Sequence, residues 1–109
     1  MTERSELPFV CNLAAMDAAQ RARHQALVRE LDAARLEVRE LADGYALRFE
    51  SDPAHCRAVA ELITLEHLCC PFLTLSMEIA GDDGPLWLRL TGRAGVKEFL
   101  RLEFELPDT

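Results

Sequence analysis

Long apolar runs, an apolar leader and an excess of positive charge are all missing from this 109-residue chain. No apolar stretch approaches the length of about eighteen residues that a membrane helix needs, which predicts a soluble protein without a membrane partner. The opening residues are polar and of mixed charge, so no secretory signal is indicated and a cytoplasmic location is expected. Twelve basic and nineteen acidic side chains give a formal charge of −7, which argues against nucleic-acid binding.

The familiar catalytic motifs are missing as well. The chain has no Gly-rich phosphate loop, no serine nucleophile elbow and no His-Glu-x-x-His pair. What it does have is four cysteines, and without an export signal these are predicted to be reduced thiols, because the cytosol disfavours disulfides. Clustered cysteines in that compartment indicate metal binding, redox chemistry or plain packing.

The first half of the chain predicts a helix followed by a hairpin. Apolar residues at helical spacing predict a long helix from Asp17 to about Leu36. Two runs of alternating polarity then meet at Asp43-Gly44, a dipeptide typical of a tight hairpin turn in which both residues adopt positive φ. The chain length predicts one domain over residues 1–109, in which residues 1–10 form a loosely ordered leader.

The second half repeats this order and then adds a short helix. Ser51-Asp52-Pro53 is a helix start, and Pro71 ends that helix after Cys70. Alternating residues over 73–79 and 86–90 predict a second hairpin, and apolar spacing from Val96 predicts a last helix. The order helix-hairpin-helix-hairpin-helix predicts an α+β fold: a four-stranded antiparallel sheet built from two hairpins, with helices packed on one face.

Glu66 falls in the apolar stripe of the second predicted helix. On a helical wheel with Val59 at the origin, Cys70 and Glu66 each lie within about 20° of it, on opposite sides. A lone carboxylate there is costly unless a cation, a metal or hydrogen bonds compensate it. Cys69 lies at the edge of the stripe, about 80° away. Two sulfurs and one carboxylate therefore share one end of this helix face.

This combination predicts a soft-metal site, because thiolates select Zn(II), Cu(I) and heavier ions such as Hg(II) over hard cations. Cys69 and Cys70 are predicted ligands, and Glu66 is predicted to be a ligand or a hydrogen-bond acceptor beside them. Cys11 is the candidate third sulfur, since it opens the ordered chain in a segment that could lie along the same end of the sheet. Cys56 lies about 20 Å from Cys70 along a continuous helix, too far to share the site.

The histidines add no ligand to this hypothesis. His67 lies on the edge of the helix opposite Cys69 and ranks below Cys11 as a candidate. His24 stands in a charged helix and is predicted to face solvent.

Two alternatives to metal sequestration stay open. A thiol redox enzyme or sensor could use Cys69 and Cys70, although redox pairs are typically Cys-x-x-Cys at a helix N-terminus, where the dipole favours thiolate. These cysteines lie at a C-terminus, and a disulfide between neighbours closes a strained ring, so a binding module without turnover is favoured. The second alternative is a structural domain that forms homodimers through its sheet and merely packs its cysteines.

Four segments together resemble a group of small uncharacterised bacterial proteins found near heavy-metal, especially mercury, resistance genes. The segments are Cys11-Asn12-Leu13, Gly44-Tyr45-x-x-x-Phe49, Glu66-x-x-Cys69-Cys70-Pro71-Phe72 and Thr91-Gly92-x-x-Gly95-x-x-x-Phe99-Leu100. The Cys-Cys-Pro-Phe segment is the most specific of them. The resemblance implies the handling of a thiophilic metal by a functional set of Cys11, Glu66, Cys69 and Cys70, with Cys56 incidental.

Overall fold

A computed structural model describes residues 11–106 of the chain, and the predicted leader over residues 1–10 lies outside them. A short 3₁₀ turn over Leu13–Ala15 precedes the first helix. The predicted order of elements is confirmed. The helices are α1 (Ala18–Ala34), α2 (Pro53–Cys69) and α3 (Val96–Glu103), and the strands are β1 (Glu37–Leu41), β2 (Gly44–Phe49), β3 (Thr74–Ile79) and β4 (Leu86–Thr91).

The four strands form one antiparallel sheet in the order β1-β2-β4-β3, which confirms the predicted α+β class. The two hairpins meet where β2 pairs with β4. Three cross-strand pairs there, Tyr45 with Leu90, Leu47 with Leu88 and Phe49 with Leu86, are all buried. Because paired residues project to the same side of a sheet, these six side chains form one apolar face. They pack in one cluster with buried residues of the helices, among them Leu27, Leu31, Val59 and Leu62.

Both long helices begin with the side-chain caps that their sequences indicate. The Asp17 carboxylate accepts from the backbone N–H of Gln20 at 2.8 Å, and the Gln20 side chain accepts from the N–H of Asp17 at 2.9 Å. Asp52 caps α2 in the same way, accepting from the N–H of His55 at 2.8 Å, and Pro53 follows in the first turn. Of the helices described, none combines the length and the apolar character needed to cross a membrane.

The first hairpin is present, but its turn is not the one the sequence predicted. Its two-residue loop is Ala42-Asp43, while Gly44 is already the first residue of β2 and pairs with Leu41. Neither Asp43 nor Gly44 has a positive φ, so that part of the prediction is wrong. Position 44 requires a glycine for a different reason, which is that there is no room for a Cβ atom. A Cβ there would lie 1.9 Å from the carbonyl oxygen of Leu90 on the neighbouring strand.

Candidate metal centre

The C-terminal end of α2 brings Glu66, Cys69 and Cys70 together. Cys70 caps the helix: its N–H still donates to the carbonyl of Glu66 at 2.7 Å, but its φ of −127° and ψ of 69° are no longer helical. Pro71, which has no N–H to continue the helix, follows at once. The sulfurs of Cys69 and Cys70 lie 3.7 Å apart, and both residues are fully buried.

Cys11 reaches this cluster because its own segment is hydrogen-bonded to the end of α2. The N–H of Asn12 donates to the carbonyl of Cys69 at 2.7 Å, and so satisfies one of the carbonyls that the last helical turn leaves without a partner. Cys11 is thereby held against Cys70, with 4.8 Å between the two Cα atoms, and the two residues form a disulfide. The prediction of four reduced thiols is therefore wrong for Cys11 and Cys70, while Cys56 and Cys69 are free.

Glu66 is buried in the apolar face, as predicted, with only 1% of its surface exposed. The compensating partner is His24 of α1, whose Nε2 lies 2.6 Å from Oε2 of Glu66 and forms an ion pair with it when the imidazole is protonated. The prediction that His24 faces solvent is wrong, because α1 turns this side chain toward α2 and leaves it only 13% exposed. The second oxygen of Glu66, Oε1, is buried without a hydrogen-bond partner among the described residues.

Two titrating neighbours of Glu66, His24 and Cys69, both have raised pKa values. The hydrogen bond to Glu66 raises the pKa of His24 above its ordinary value, against the opposing effect of burial. Burial first, and the negative charge of Glu66 second, raise the pKa of Cys69 to about 11. The Cys69 thiol therefore keeps its proton at neutral pH unless a metal ion displaces it.

All four predicted site residues meet in one place. Cys11, Glu66, Cys69 and Cys70 each offer a ligand atom, and these atoms lie within 4.8 Å of one another, so the group could hold a metal ion. Cys56 is not part of it, since its sulfur contacts the carbonyl of Ser51 at 3.5 Å, near the other end of α2.

His67, which the sequence ranked below Cys11, is exposed and outside the group. The residue that sequence reasoning missed is His24, and the only signal for it was the need of Glu66 for a nearby cation.

A cleft of about 330 Å³ opens beside the carboxylate end of this group. His24 and Glu66 line it together with Leu13, Val28, Glu103 and Phe104. Of the four cluster residues, Glu66 lines this cleft and the three cysteines do not, so the cleft approaches the cluster from its carboxylate side.

We expect the Cys69 thiol to react very slowly with an alkylating reagent. With a pKa near 11 instead of 9.0, its thiolate fraction at about pH 8 is lower by about 100-fold, and burial slows the reaction further. The rate should rise about tenfold per pH unit up to the pKa. Iodoacetamide labelling read by peptide mass spectrometry, in a Cys56→Ser background, measures it. Reaction as fast as that of a free cysteine peptide at pH 8 would contradict this.

Comparisons of the chain with protein-family models, with curated proteins and with solved structures give no match. Of the four donor atoms in the cluster, the three sulfurs are soft and the carboxylate oxygen is hard. Thiolate ligands in general select soft metal ions over hard ones.

Proposed function

We propose that this protein binds a soft metal ion, Hg(II), Cu(I) or Zn(II), through the reduced sulfurs of Cys11, Cys69 and Cys70, with Glu66 as the fourth ligand. The observation that carries the proposal is the convergence of these four ligand atoms within 4.8 Å. Zn(II) in closed protein sites is almost always bound by four such groups in a tetrahedron. The protein sequesters the ion in the cytoplasm, without turnover.

A burial argument supports a ligand role for Glu66. Its carboxylate has one oxygen on His24 and one with no hydrogen bond among the described residues, at 1% exposure. An unpaired buried oxygen costs free energy unless something binds it. A metal ion coordinated by this oxygen removes that cost. His24 then orients the carboxylate from its other side, as hydrogen-bonded partners of metal ligands commonly do.

The resemblance to bacterial proteins found near mercury resistance genes extends the proposal to heavy-metal resistance. The vicinal pair Cys69-Cys70 is the most specific part of that resemblance and is also the buried centre of the cluster. A protein that withdraws a thiophilic ion from solution protects other cellular thiols.

The alternative is a thiol redox enzyme or sensor, which the Cys11–Cys70 disulfide favours. The raised pKa of Cys69 opposes it, because the thiolate is the nucleophile and Cys69 holds little of it at neutral pH. Dimerisation through the sheet stays a prediction, for which the edge strands β1 and β3 are the available surfaces.

Removing the vicinal thiols should abolish tight binding. The Cys69→Ser/Cys70→Ser variant loses two of four ligands, and structural zinc sites are worth about 10–16 kcal/mol in all, so we expect a loss of about 1,000-fold or more. Parent and variant, both reduced and both carrying Cys56→Ser to remove the incidental thiol, are titrated with Zn(II), Cu(I) and Hg(II).

The matched control compares this Cys56→Ser parent with the unsubstituted chain, and the two should bind equally tightly because Cys56 lies outside the cluster. Circular dichroism establishes that the double variant is folded. Equal affinities of a folded double variant and its parent would show that the vicinal cysteines do not form the site.

A further inference from the structure

Two of the three sulfurs in the cluster are joined to each other in the structure, so the oxidation state of the protein decides whether they can bind a metal. We infer that the Cys11–Cys70 disulfide is a gate on the metal site, and that a low-molecular-weight thiol of the glutathione class opens it by attacking Cys11. This inference rests on the proposed function.

The closed gate leaves too few donors for tight binding. A sulfur in a disulfide carries no thiolate, and the thiolate is the form that ligates metals. With Cys11 and Cys70 joined, the cluster retains only Cys69 and Glu66. Reduction restores two sulfurs at once, and because Asn12 stays hydrogen-bonded to the carbonyl of Cys69, Cys11 remains beside the other ligands.

An external thiol attacks Cys11 because its sulfur belongs to the more solvent-exposed of the two disulfide-bonded residues. Cys70 and Cys69 are both 0% exposed, whereas Cys11 is partly exposed and precedes the exposed residues 12–15. The Cys69 sulfur lies 3.7 Å from that of Cys70, but exchange between them would join chain neighbours in a strained ring. Attack by Cys69 on either sulfur would in any case only move the disulfide within the cluster, so a thiol from outside is needed to reduce it.

The exchange balances as two ordinary thiol–disulfide steps. The thiolate of the small molecule attacks the sulfur of Cys11, the Cys11–Cys70 bond breaks, and Cys70 leaves as a thiolate that takes up a proton. A second thiolate attacks the small-molecule sulfur of the mixed disulfide and releases Cys11. Two small thiols are oxidised to one disulfide, and two protein sulfurs are reduced. The reverse reaction closes the gate and expels the metal.

Zinc affinity in the two oxidation states tests the gate, because Zn(II) is not redox-active and cannot itself open the disulfide. The full chain with Cys56→Ser is prepared oxidised and glutathione-reduced, freed of small thiols without air, and titrated with Zn(II) against a chromophoric chelator. We expect the reduced form to bind one ion per chain, and the oxidised form to bind at least about 100-fold more weakly.

The possible outcomes distinguish failure of the redox gate from failure of the proposed metal site. Equal zinc affinities of the two forms would overturn the gate and leave the proposed function standing. Absence of binding by both forms would overturn the proposed function, and the gate with it. An oxidised sample in which mass spectrometry finds no Cys11–Cys70 linkage would overturn the gate whatever the zinc affinities.

Mixed-disulfide mapping tests the point of attack. Reduced Cys70→Ser and Cys11→Ser variants, each with Cys56→Ser, are exposed to oxidised glutathione, and the adducts are located by peptide mass spectrometry. Since a buried thiol reacts only after local opening, Cys11 in the first variant should be modified faster than Cys70 in the second, by about tenfold or more. Modification of Cys70 at an equal or greater rate would overturn attack at Cys11.

Discussion

Replacing His24 with alanine should lower the free energy of unfolding by about 3 kcal/mol, because it leaves the Glu66 carboxylate buried without its cation. For a domain of this size the midpoint of thermal unfolding should fall by about 12 °C. Urea and thermal unfolding followed by circular dichroism measure both quantities. His67→Ala is the matched control, since it removes an exposed imidazole from the end of α2 and should change stability by less than about 0.5 kcal/mol.

The effect of His24→Ala should also depend on pH in a defined direction. Glu66 raises the pKa of His24 in the folded protein above the unfolded value of about 6.5. The ion-pair stabilisation is therefore complete below pH 6.5 and is lost as the pH rises through the folded pKa. The parent and the His24→Ala variant should differ more at about pH 6 than at about pH 9. A difference that grows with pH would contradict this assignment.

A double variant separates the stability of this pair from its role in metal binding. In His24→Leu/Glu66→Met both polar groups are replaced by apolar ones of similar size, a change that is often neutral or stabilising for buried ion pairs. We expect it to recover most of the stability lost in His24→Ala. Its zinc affinity should nevertheless be lower than that of the parent, because the carboxylate ligand is gone.

Gly44→Ala should destabilise the protein by about 3 kcal/mol or more, through the sheet and not through the site. Its Cβ would meet the Leu90 carbonyl oxygen at 1.9 Å and the Thr91 Cα at 2.8 Å, both of them backbone atoms of β4. Backbone cannot move aside as a flexible side chain can, so the central β2–β4 pairing must separate. Urea unfolding of the purified variant gives the value.

Gly81→Ala serves as the matched control in the other hairpin. A Cβ at Gly81 would have no atom within 4 Å, and its stability should stay within about 0.5 kcal/mol of the parent. If Gly44→Ala were equally mild, the close approach of β4 to Gly44 would not exist in solution.

Local patterns in the sequence were sufficient to predict α2 and the position of Glu66 on it. The cap at Asp52, the break at Pro71 and the apolar stripe are all encoded within one stretch of chain, and the helix follows them from Pro53 to Cys69. Periodicity alone then places Glu66 among apolar residues, where the structure buries it. The rise per residue likewise sufficed to separate Cys56 from the cluster.

Contacts between distant segments could not be predicted in this way. His24 and Glu66 are 42 residues apart, and their pairing depends on how α1 packs on α2, which no local pattern records. The Cys11–Cys70 disulfide was missed because the expected compartment argued for reduced thiols. At Asp43-Gly44 the dipeptide rule predicted the hairpin correctly, but the reason for the glycine lies in β4, which pairs with β2 from far along the chain.

The Cys11–Cys70 linkage spans 59 residues and therefore ties α1, the first hairpin and α2 into a covalent ring, with the second hairpin and α3 outside it. A ring of this size removes about 4 kcal/mol of chain entropy from the denatured ensemble. Reduction of the disulfide frees the two sulfurs and removes this restriction on the denatured chain. A metal ion bridging Cys11 to Cys69 and Cys70 would close the same ring by coordination. The chain would then be cross-linked both when oxidised and when loaded, and would be open only when reduced and without metal.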